Sequence, residues 1–270
     1  MKKGLFITGA ASGTGFAIAQ AYAREGYAVF LTSRRKEDAL RAARELEETF
    51  GVPCLGFECP VGDEEIVKEI FQRIDKEEVC LSTLVLNAAN MGFYPQDPGA
   101  GQDFWTVPVE DFRAVFETNL VWNFTIVRQA ALRFRKAGGG AVVFLSSNTA
   151  HRAIPNRAAY CASKGGINSL MRSLAVDLGP FGIRCNALLP GTIKTERWVR
   201  MGSKQIVNGE LTPIGDISDF QDVANAAFFL GTELSRNITG TELVLDGGMT
   251  CQLYPRALNE WKKKAMEAED

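Results

Sequence analysis

The feature that most constrains the fold lies at the start of the chain, where a short apolar run meets a glycine-rich turn. Residues 5–8 are LFIT, the turn TGAASGTG covers residues 8–15, and Phe16, Ile18 and Tyr22 continue in a periodic apolar pattern. This order predicts a strand, a turn and a helix. Glycine lets a backbone approach a phosphate closely, and a helix N-terminus offers free N–H groups. A tight turn without a ligand is the alternative for this segment taken alone.

Strands and helices alternate through most of the chain. Apolar runs predict further strands at residues 28–32, 54–57, 83–86, 141–145 and 184–189, and helical patterns occupy residues 36–50, 63–76, 109–136 and 158–178. This alternation predicts a Rossmann-like α/β fold, a doubly wound parallel sheet with helices on both faces. The length of 270 residues with 46% hydrophobic content suits one domain. We place that domain at residues 1–250, followed by an extension at 251–270 that is a candidate subunit contact.

Charge and cysteine content exclude several classes of function. The net charge of −2, from 30 basic and 32 acidic side chains, provides no basic surface for nucleic acid. The six cysteines form no C-x-x-C pair and there is a single histidine, so we expect no metal site. These cysteines are interpreted as reduced thiols of a cytoplasmic protein. We expect no membrane partner, because no apolar stretch reaches the 18 residues or so of a membrane span.

A candidate proton-transfer group follows the predicted strand at 141–145. Tyr160 and Lys164 are four residues apart on a predicted helix, so they lie on one face. A positive charge beside a phenol favours the phenolate, and a lowered pKa would make Tyr160 a better general acid or base. Ser147, at the end of the strand, offers a hydroxyl to a substrate oxygen. The pair alone also occurs by chance on many helices.

Taken together, these motifs resemble the short-chain dehydrogenase/reductase family over residues 4 to about 250. The turn TGAASGTG resembles the family's cofactor turn, and LNAA at 86–89 resembles a degraded form of its N-N-A-G motif. Further matches are Asn119 in FETNLVWNF, the Ser147, Tyr160 and Lys164 set, and Pro190-Gly191-Thr192. Because these matches are independent and in order, the resemblance is specific.

The resemblance implies a reaction and a role for each catalytic residue. Hydride transfer to or from a nicotinamide cofactor would interconvert a ketone and a secondary alcohol. Tyr160 would transfer the proton, and Lys164 would lower its pKa and hold the nicotinamide ribose. Ser147 would position the carbonyl, and Asn119 would hold a water linked to Lys164. Relatives form dimers or tetramers through their long helices, so a homodimer or homotetramer is expected.

The resemblance also implies the residues that hold the cofactor. The second predicted strand ends in Ser33-Arg34-Arg35 without a carboxylate. An acidic residue there would hold the free 2′-hydroxyl of NAD, whereas arginine suits a 2′-phosphate, so NADP is favoured over NAD. Alternatively, both arginines simply begin a solvated helix. The expected cofactor-binding residues are Thr8, Gly9, Ser12, Gly13, Thr14, Gly15, Ser33, Arg34, Arg35, Val61, Asn87, Ala88, Ala89, Tyr160, Lys164, Pro190, Gly191, Ile193 and Thr195.

Three positions depart from the family pattern. Pro60 stands before Val61 where the family often has Asp, and Leu86 and Ala89 replace the first Asn and the Gly of N-N-A-G. Proline cannot supply the side-chain contact to adenine. None of the three touches the proton-transfer set, so they predict altered cofactor affinity rather than lost chemistry.

The substrate side is less defined. Residues 92–109 form a loop longer than usual for the family, whose Phe93, Tyr94 and Trp105 either line the substrate pocket or pack the loop onto the body. A substrate lid is expected at about 191–212, with Trp198 and Val199 shielding the site. His151 is interpreted as a substrate contact or an exposed loop residue, with a chemical role as the weaker alternative.

The sequence thus favours an NADP(H)-dependent oxidoreductase with a small ketone or alcohol as substrate. An NAD-preferring alcohol or polyol dehydrogenase is one alternative. A dinucleotide-binding sensor without turnover is another, and the departures at Pro60, Leu86 and Ala89 favour it weakly. The intact set of Asn119, Ser147, Tyr160 and Lys164 argues against a sensor. Nothing in the sequence selects a substrate.

Overall fold

Seven parallel strands form the centre of the molecule in a computed structural model that describes residues 1–92, 104–195 and 212–253. The order across the sheet is β3-β2-β1-β4-β5-β6-β7. The strands are β1 Lys2–Ile7, β2 Ala28–Ser33, β3 Cys54–Glu58, β4 Val79–Leu86, β5 Gly140–Leu145, β6 Ile183–Pro190 and β7 Glu242–Leu245. The predicted doubly wound parallel sheet in a single domain is therefore confirmed.

Helices cover both faces of this sheet, and the strands alternate their side chains between them. The helices are α1 Gly13–Arg24, α2 Lys36–Phe50, α3 Glu64–Ile74, α4 Val109–Phe116, α5 Trp122–Ala137, α6 Ala158–Leu178 and α7 Phe220–Gly231. In β1, Phe6 packs into the core beneath α3, α5 and α6, whereas Leu5 and Ile7 pack beneath α1, α2 and α7. Because both faces are buried, the strands are continuous apolar runs, which made them visible in the sequence.

The long helix predicted at 109–136 is interrupted. Helices α4 and α5 are joined by one π-helical turn, Glu117–Val121, which carries Asn119. A π turn holds one more residue than an α turn, so it shifts the side chains that follow around the helix axis. Because the apolar residues on both sides of this turn follow a helical spacing, the sequence predicted one continuous helix.

The strand order reverses at β1, which lies between β2 and β4. The chain leaves β1 for β2 on one side and later returns to β4 on the other. Ligands of open α/β sheets bind beyond the carboxyl ends of the strands at such a switch point. None of the helices in the described ranges is long and apolar enough to cross a membrane.

Candidate active site

Hydrogen bonds tie the carboxyl ends of β1 and β4 together at the switch point. The Thr8 hydroxyl oxygen accepts from the backbone N–H groups of Asn87 and Ala88, both at 3.0 Å. In return, Asn87 Nδ2 donates to the carbonyls of Thr8 at 3.1 Å and Gly9 at 2.8 Å. Although the N-N-A-G motif is degraded, its second asparagine therefore still fixes the glycine-rich turn.

The turn itself depends on glycine at two positions. Gly9 has φ +63° and lies against Ala88, whose Cα would be 3.0 Å from a Cβ at Gly9. A Cβ at Gly15 would be 2.5 Å from the carbonyl oxygen of Gly9 and 2.6 Å from Asn87 Nδ2. Real Cβ atoms essentially never come within 3.0 Å of such atoms. The first turn of α1 can therefore lie this close to the end of β1 only because residue 15 has no side chain.

The N-terminus of α1 is left open to an anion. Its first turn contains no acidic residue, whereas α2, α3 and α4 each begin with two. The Ser12 side chain makes no capping hydrogen bond. Within the described residues, the backbone N–H groups of Gly13, Thr14 and Gly15 have no protein acceptor. Free N–H groups at a helix N-terminus are suited to a diphosphate, so this part of the chain fits a dinucleotide cofactor.

The two arginines after β2 differ in their surroundings. Arg35 lies in an ion pair with Asp38, with Nη2 2.5 Å from the carboxylate, and its backbone N–H donates to Ser33 Oγ at 3.3 Å. Arg34 is exposed and has no hydrogen bond or ion pair to any described residue. Of the two guanidiniums, that of Arg34 is therefore the one available to a ligand at the end of β2.

The remaining predicted cofactor residues lie along the same edge of the sheet. Val61 follows β3 and is partly exposed, and Ala89 follows β4. Pro190 ends β6, and the Gly191 N–H donates to the Leu245 carbonyl at 2.9 Å. Beyond it, Ile193 bridges to Ser218, and the N–H of Thr195 donates to the Ile193 carbonyl at 2.8 Å.

Ser147, Tyr160 and Lys164 come together beyond the carboxyl end of β5. Lys164 is buried, its Nζ donates to the Leu145 carbonyl at 2.6 Å, and it lies 5.4 Å from the centroid of the Tyr160 ring. Tyr160 shares a hydrogen bond with the Ser147 side chain. Ser147 Oγ also accepts from the Thr149 N–H at 3.1 Å, which fixes the hydroxyl at the start of its loop. The structure thus assembles these three predicted residues.

The electrostatics of this group differ from the expectation that Lys164 lowers the pKa of Tyr160. Tyr160 is only partly exposed, and burial raises the pKa of its phenol to about 12. The hydrogen bond with Ser147 and the charge of Arg157 lower this pKa, but by less. Burial also lowers the pKa of Lys164 to about 7. Desolvation is therefore the largest influence on both side chains, and for Tyr160 it acts against the expected lowering of the pKa.

Asn119 is completely buried and acts as a junction between three elements. Its Oδ1 accepts from the Asn90 N–H at 2.7 Å, and its Nδ2 donates to the Asn90 carbonyl and to Ser163 Oγ, both at 2.9 Å. Ser163 Oγ in turn donates to the Tyr160 carbonyl at 2.8 Å. The Asn119 carbonyl accepts from Asn123 Nδ2 at 2.8 Å.

Asn90, Asn123 and Ser163 were missed by the sequence reasoning. Ser163 had one usable signal, since it directly precedes Lys164 on the same helix. Asn90 had none, because its contact with Asn119 joins residues 29 positions apart.

The loop that carries Ser147 is tied to the last strand. His151 Nε2 lies 2.8 Å from a carboxylate oxygen of Glu242, so the imidazole pairs with β7 rather than with Tyr160. Asn148 Nδ2 donates to Asp246 at 3.3 Å, and Arg152 Nη2 donates to the Thr250 carbonyl at 3.2 Å. His151 is thus an anchor of the loop.

Tyr160 also borders a cavity of about 230 Å³ on the side of α4. Phe104 lines this cavity, but Trp105 does not: Trp105 is 85% exposed and contacts Phe104 edge-on at 5.3 Å. The predictions for Phe93, Tyr94, Trp198 and Val199, for most of the lid and for residues 254–270 fall outside the described residues. Within the described ranges, no cluster of three or more His, Cys, Asp or Glu side chains is arranged to hold a metal ion.

Comparisons with known proteins agree with this geometry. The family model described as Enoyl-(Acyl carrier protein) reductase matches residues 9–250. The chain is 31% identical to a D-threitol dehydrogenase of Mycolicibacterium smegmatis, covering 90% of this chain and 91% of the relative. It is also 31% identical to an L-rhamnose 1-dehydrogenase (NAD(P)(+)) of Azotobacter vinelandii, covering 93% and 98%.

Solved structures give the same assignment. A 3-oxoacyl-[acyl-carrier protein] reductase from Brucella melitensis superposes with a TM-score of 0.83 at 28% identity, covering 92% of this chain and 91% of the other. An ElxO variant with NADPH bound superposes with a TM-score of 0.83 at 29% identity, covering 93% and 100%. The chain therefore belongs to the short-chain dehydrogenase/reductase family and is an oxidoreductase acting on CH–OH or C=O groups.

Proposed function

We propose that the protein interconverts a ketone and a secondary alcohol with NADP(H), using Tyr160 as the general acid and base. The observation that carries the proposal is the grouping of Tyr160, Ser147 and Lys164 at the carboxyl end of β5. The N-terminus of α1, at the carboxyl edge of the same sheet, is free to bind an anion. The cofactor would supply the hydride at carbon. The protein must then supply a proton at oxygen and hold that oxygen in place.

The three side chains divide this work. The Tyr160 hydroxyl donates its proton to the substrate oxygen, and the Ser147 hydroxyl donates a hydrogen bond to the same oxygen. Lys164 lies one turn further along α6, where its ammonium would meet the nicotinamide ribose once its bond to the Leu145 carbonyl is exchanged. Asn119 holds the first turn of α6 through Ser163, which keeps the Tyr160 backbone fixed.

The raised pKa of Tyr160 bears on how the two directions of the reaction depend on pH. With a pKa of about 12, the phenol is protonated at neutral pH and is ready to donate. Alcohol oxidation requires the phenolate instead, so we expect the oxidation rate to rise with pH over a range where the reduction rate is flat or falling.

Replacing the phenol tests the catalytic assignment. Ketone-dependent NADPH oxidation is the assay, and Tyr160→Phe should lower kcat by about 10²–10⁴-fold, the usual contribution of general acid–base catalysis. NADPH affinity, measured by fluorescence, should stay within about twofold. Equal turnover by the variant would refute the role of Tyr160. An unmodified protein that binds NADPH but turns over no ketone or alcohol would favour the sensor.

The preference for NADP rests on Arg34. Because its guanidinium is unpaired within the described residues and β2 ends without a carboxylate, it is suited to a 2′-phosphate. The NADPH-bound ElxO neighbour supports this choice, whereas the L-rhamnose 1-dehydrogenase relative is named for both cofactors.

A pair of matched variants tests the preference. Arg34→Ala should weaken NADPH binding by about tenfold or more, the value of one or two hydrogen bonds to a charged group, and leave NADH binding unchanged. Arg35→Ala should have a smaller effect, because Asp38 already neutralises that guanidinium. If neither variant changes the NADPH-to-NADH ratio, the NAD-preferring alternative replaces the NADP proposal.

A homodimer or homotetramer in the cytoplasm completes the proposal. Val121, Phe124 and Leu132 are exposed along one stretch that includes α5, with the Arg128 guanidinium 6.0 Å from the Phe124 ring centroid. All six cysteines are free thiols, as in a reducing compartment. Analytical ultracentrifugation of the wild type and Leu132→Glu should show dissociation of the variant; a wild-type monomer would refute the subunit contact.

A further inference from the structure

The cavity beside Tyr160 is lined by other residues than those at the cofactor edge. Its walls come from the segment after β4, from α4 and from residues 153–161, which lead into α6. It shares Tyr160 with the catalytic group, but none of its lining residues belongs to the glycine-rich turn or to the segment after β6. A substrate whose oxygen contacts Tyr160 would therefore extend its remaining part into this space.

The lining is mainly apolar. Met91, Phe104, Val107, Phe112, Val115 and Ile154 form most of the wall. Val115 is buried and Phe112 stacks on Phe116 at 4.8 Å, so this wall is held by packing. A volume of about 230 Å³ exceeds the roughly 150 Å³ of an apolar cavity known to hold benzene.

Polar groups contribute a smaller part of the lining. Besides Tyr160 and Cys161, the polar side chains among the described lining residues are those of Asp111, Asn156 and Arg157. Arg157 is buried and its Nη1 donates to the Gly92 carbonyl at 3.3 Å, which ties the segment after β4 to the start of α6. A chain of hydroxyl groups would meet aromatic and aliphatic carbon along most of this wall, and buried hydroxyls without partners are costly.

We propose that this cavity binds the non-reacting part of the substrate and selects ketones with an apolar body of one or two rings over polyhydroxylated ketones. The proposal rests on the proposed function, because it assumes that the reacting oxygen meets Tyr160. It adds the substrate class, which neither the motifs nor the catalytic residues specify. Ile154 is the test residue, since it lines the cavity while contributing little to the core.

Two ketones of contrasting surface provide the kinetic test. The value of kcat/KM with NADPH should be at least about tenfold higher for 2-tetralone than for erythrulose, a four-carbon hydroxyketone. Ile154→Asn should lower the ratio of kcat/KM for 2-tetralone to that for erythrulose by about tenfold. Leu40→Asn is the control, because Leu40 is an isomeric side chain of similar exposure, 42% against 46%, outside the cavity.

Binding to an inactive enzyme separates the two proposals. In the Tyr160→Phe background with NADPH present, calorimetry should detect 2-tetralone binding, and adding Ile154→Asn should weaken it by about tenfold. No binding, equal binding by the double variant, or a kcat/KM for erythrulose that matches that for 2-tetralone would overturn the substrate class. If 2-tetralone binds but the wild type reduces no ketone, the proposed function fails while the cavity assignment stands.

Discussion

The two sides of Tyr160 are built in different ways. On the cofactor side, the glycine-rich turn is held by reciprocal hydrogen bonds between Thr8 and Asn87 and by backbone contacts that leave no room for a Cβ at Gly15. On the substrate side, the cavity wall consists of apolar side chains such as Phe112 and Ile154, which are partly exposed. The first side is fixed by backbone geometry, and the second by side-chain identity.

This difference explains why the sequence shows recognisable motifs on the cofactor side and none on the side of the cavity. Backbone contacts accept only certain residues, so they produce short, recognisable motifs. A wall of partly exposed side chains accepts many substitutions at little cost in stability. The comparison predicts large stability effects on the cofactor side and small ones on the substrate side.

The largest effect should come from adding one methyl group at the turn. Gly15→Ala places a Cβ within 2.5 Å of the Gly9 carbonyl oxygen, so α1 must move, at a cost of about 3 kcal/mol in the free energy of unfolding. Urea denaturation measures this cost, and NADPH affinity should fall with it. Gly179→Ala is the control, because nothing lies within 4 Å of its Cβ position and its φ is −51°. Similar losses in both variants would contradict the steric argument.

The second-largest effect should be a pH dependence of the free energy of unfolding that comes from Lys164. The pKa of Lys164 is about 7 when folded and about 10.5 when unfolded, so between these values the unfolded chain binds more protons. Stability without cofactor should therefore rise with pH from 7 to 9, by up to about 1.4 kcal/mol per pH unit relative to Lys164→Met. Below pH 7, the difference in the free energy of unfolding between the wild type and Lys164→Met should become constant.

Denaturation profiles at several pH values measure this dependence. Lys36→Met changes an exposed lysine and should follow the wild-type profile. Parallel profiles for wild type and Lys164→Met would show that Lys164 keeps its ordinary pKa in the fold.

A smaller loss should follow from removing the hydroxyl that joins β1 to β4. Thr8→Val keeps the shape but leaves the partly buried N–H groups of Asn87 and Ala88 without their acceptor. We expect a loss of about 2 kcal/mol in the free energy of unfolding. Thr8→Ser retains the oxygen and should lose less than the valine variant; the reverse order would mean that the methyl group, not the hydroxyl, joins the strands.

The smallest effect should be on the substrate side. Ile154→Asn should change the free energy of unfolding by no more than about 0.5 kcal/mol, since the side chain is about half exposed. The same denaturation assay applies. A loss as large as that of Thr8→Val would mean that the two sides are built alike.

Much of this arrangement could be predicted from the sequence, because it depends on local patterns. Strands buried on both faces are apolar runs, and a four-residue spacing places Tyr160 and Lys164 on one side of any helix. The π turn at Asn119 could not be predicted, since it leaves the apolar pattern helical on both sides. The pKa of Tyr160 was predicted in the wrong direction, because desolvation depends on packing between distant segments. For the cavity, the sequence indicated the loop at 92–109 but not the walls formed by α4 and residues 153–161, which depend on the same kind of distant packing.

The three ties between the Ser147 loop and the region of β7 have a consequence for the order in which the enzyme is completed. Within the described residues, the side-chain partners of Asn148, His151 and Arg152 lie among residues 242–250. During synthesis, the segments that carry Tyr160 and Lys164 emerge from the ribosome well before those partners exist. The loop that carries Ser147 therefore gains these three ties only when β7, the last strand of the described sheet, and the residues after it have been added.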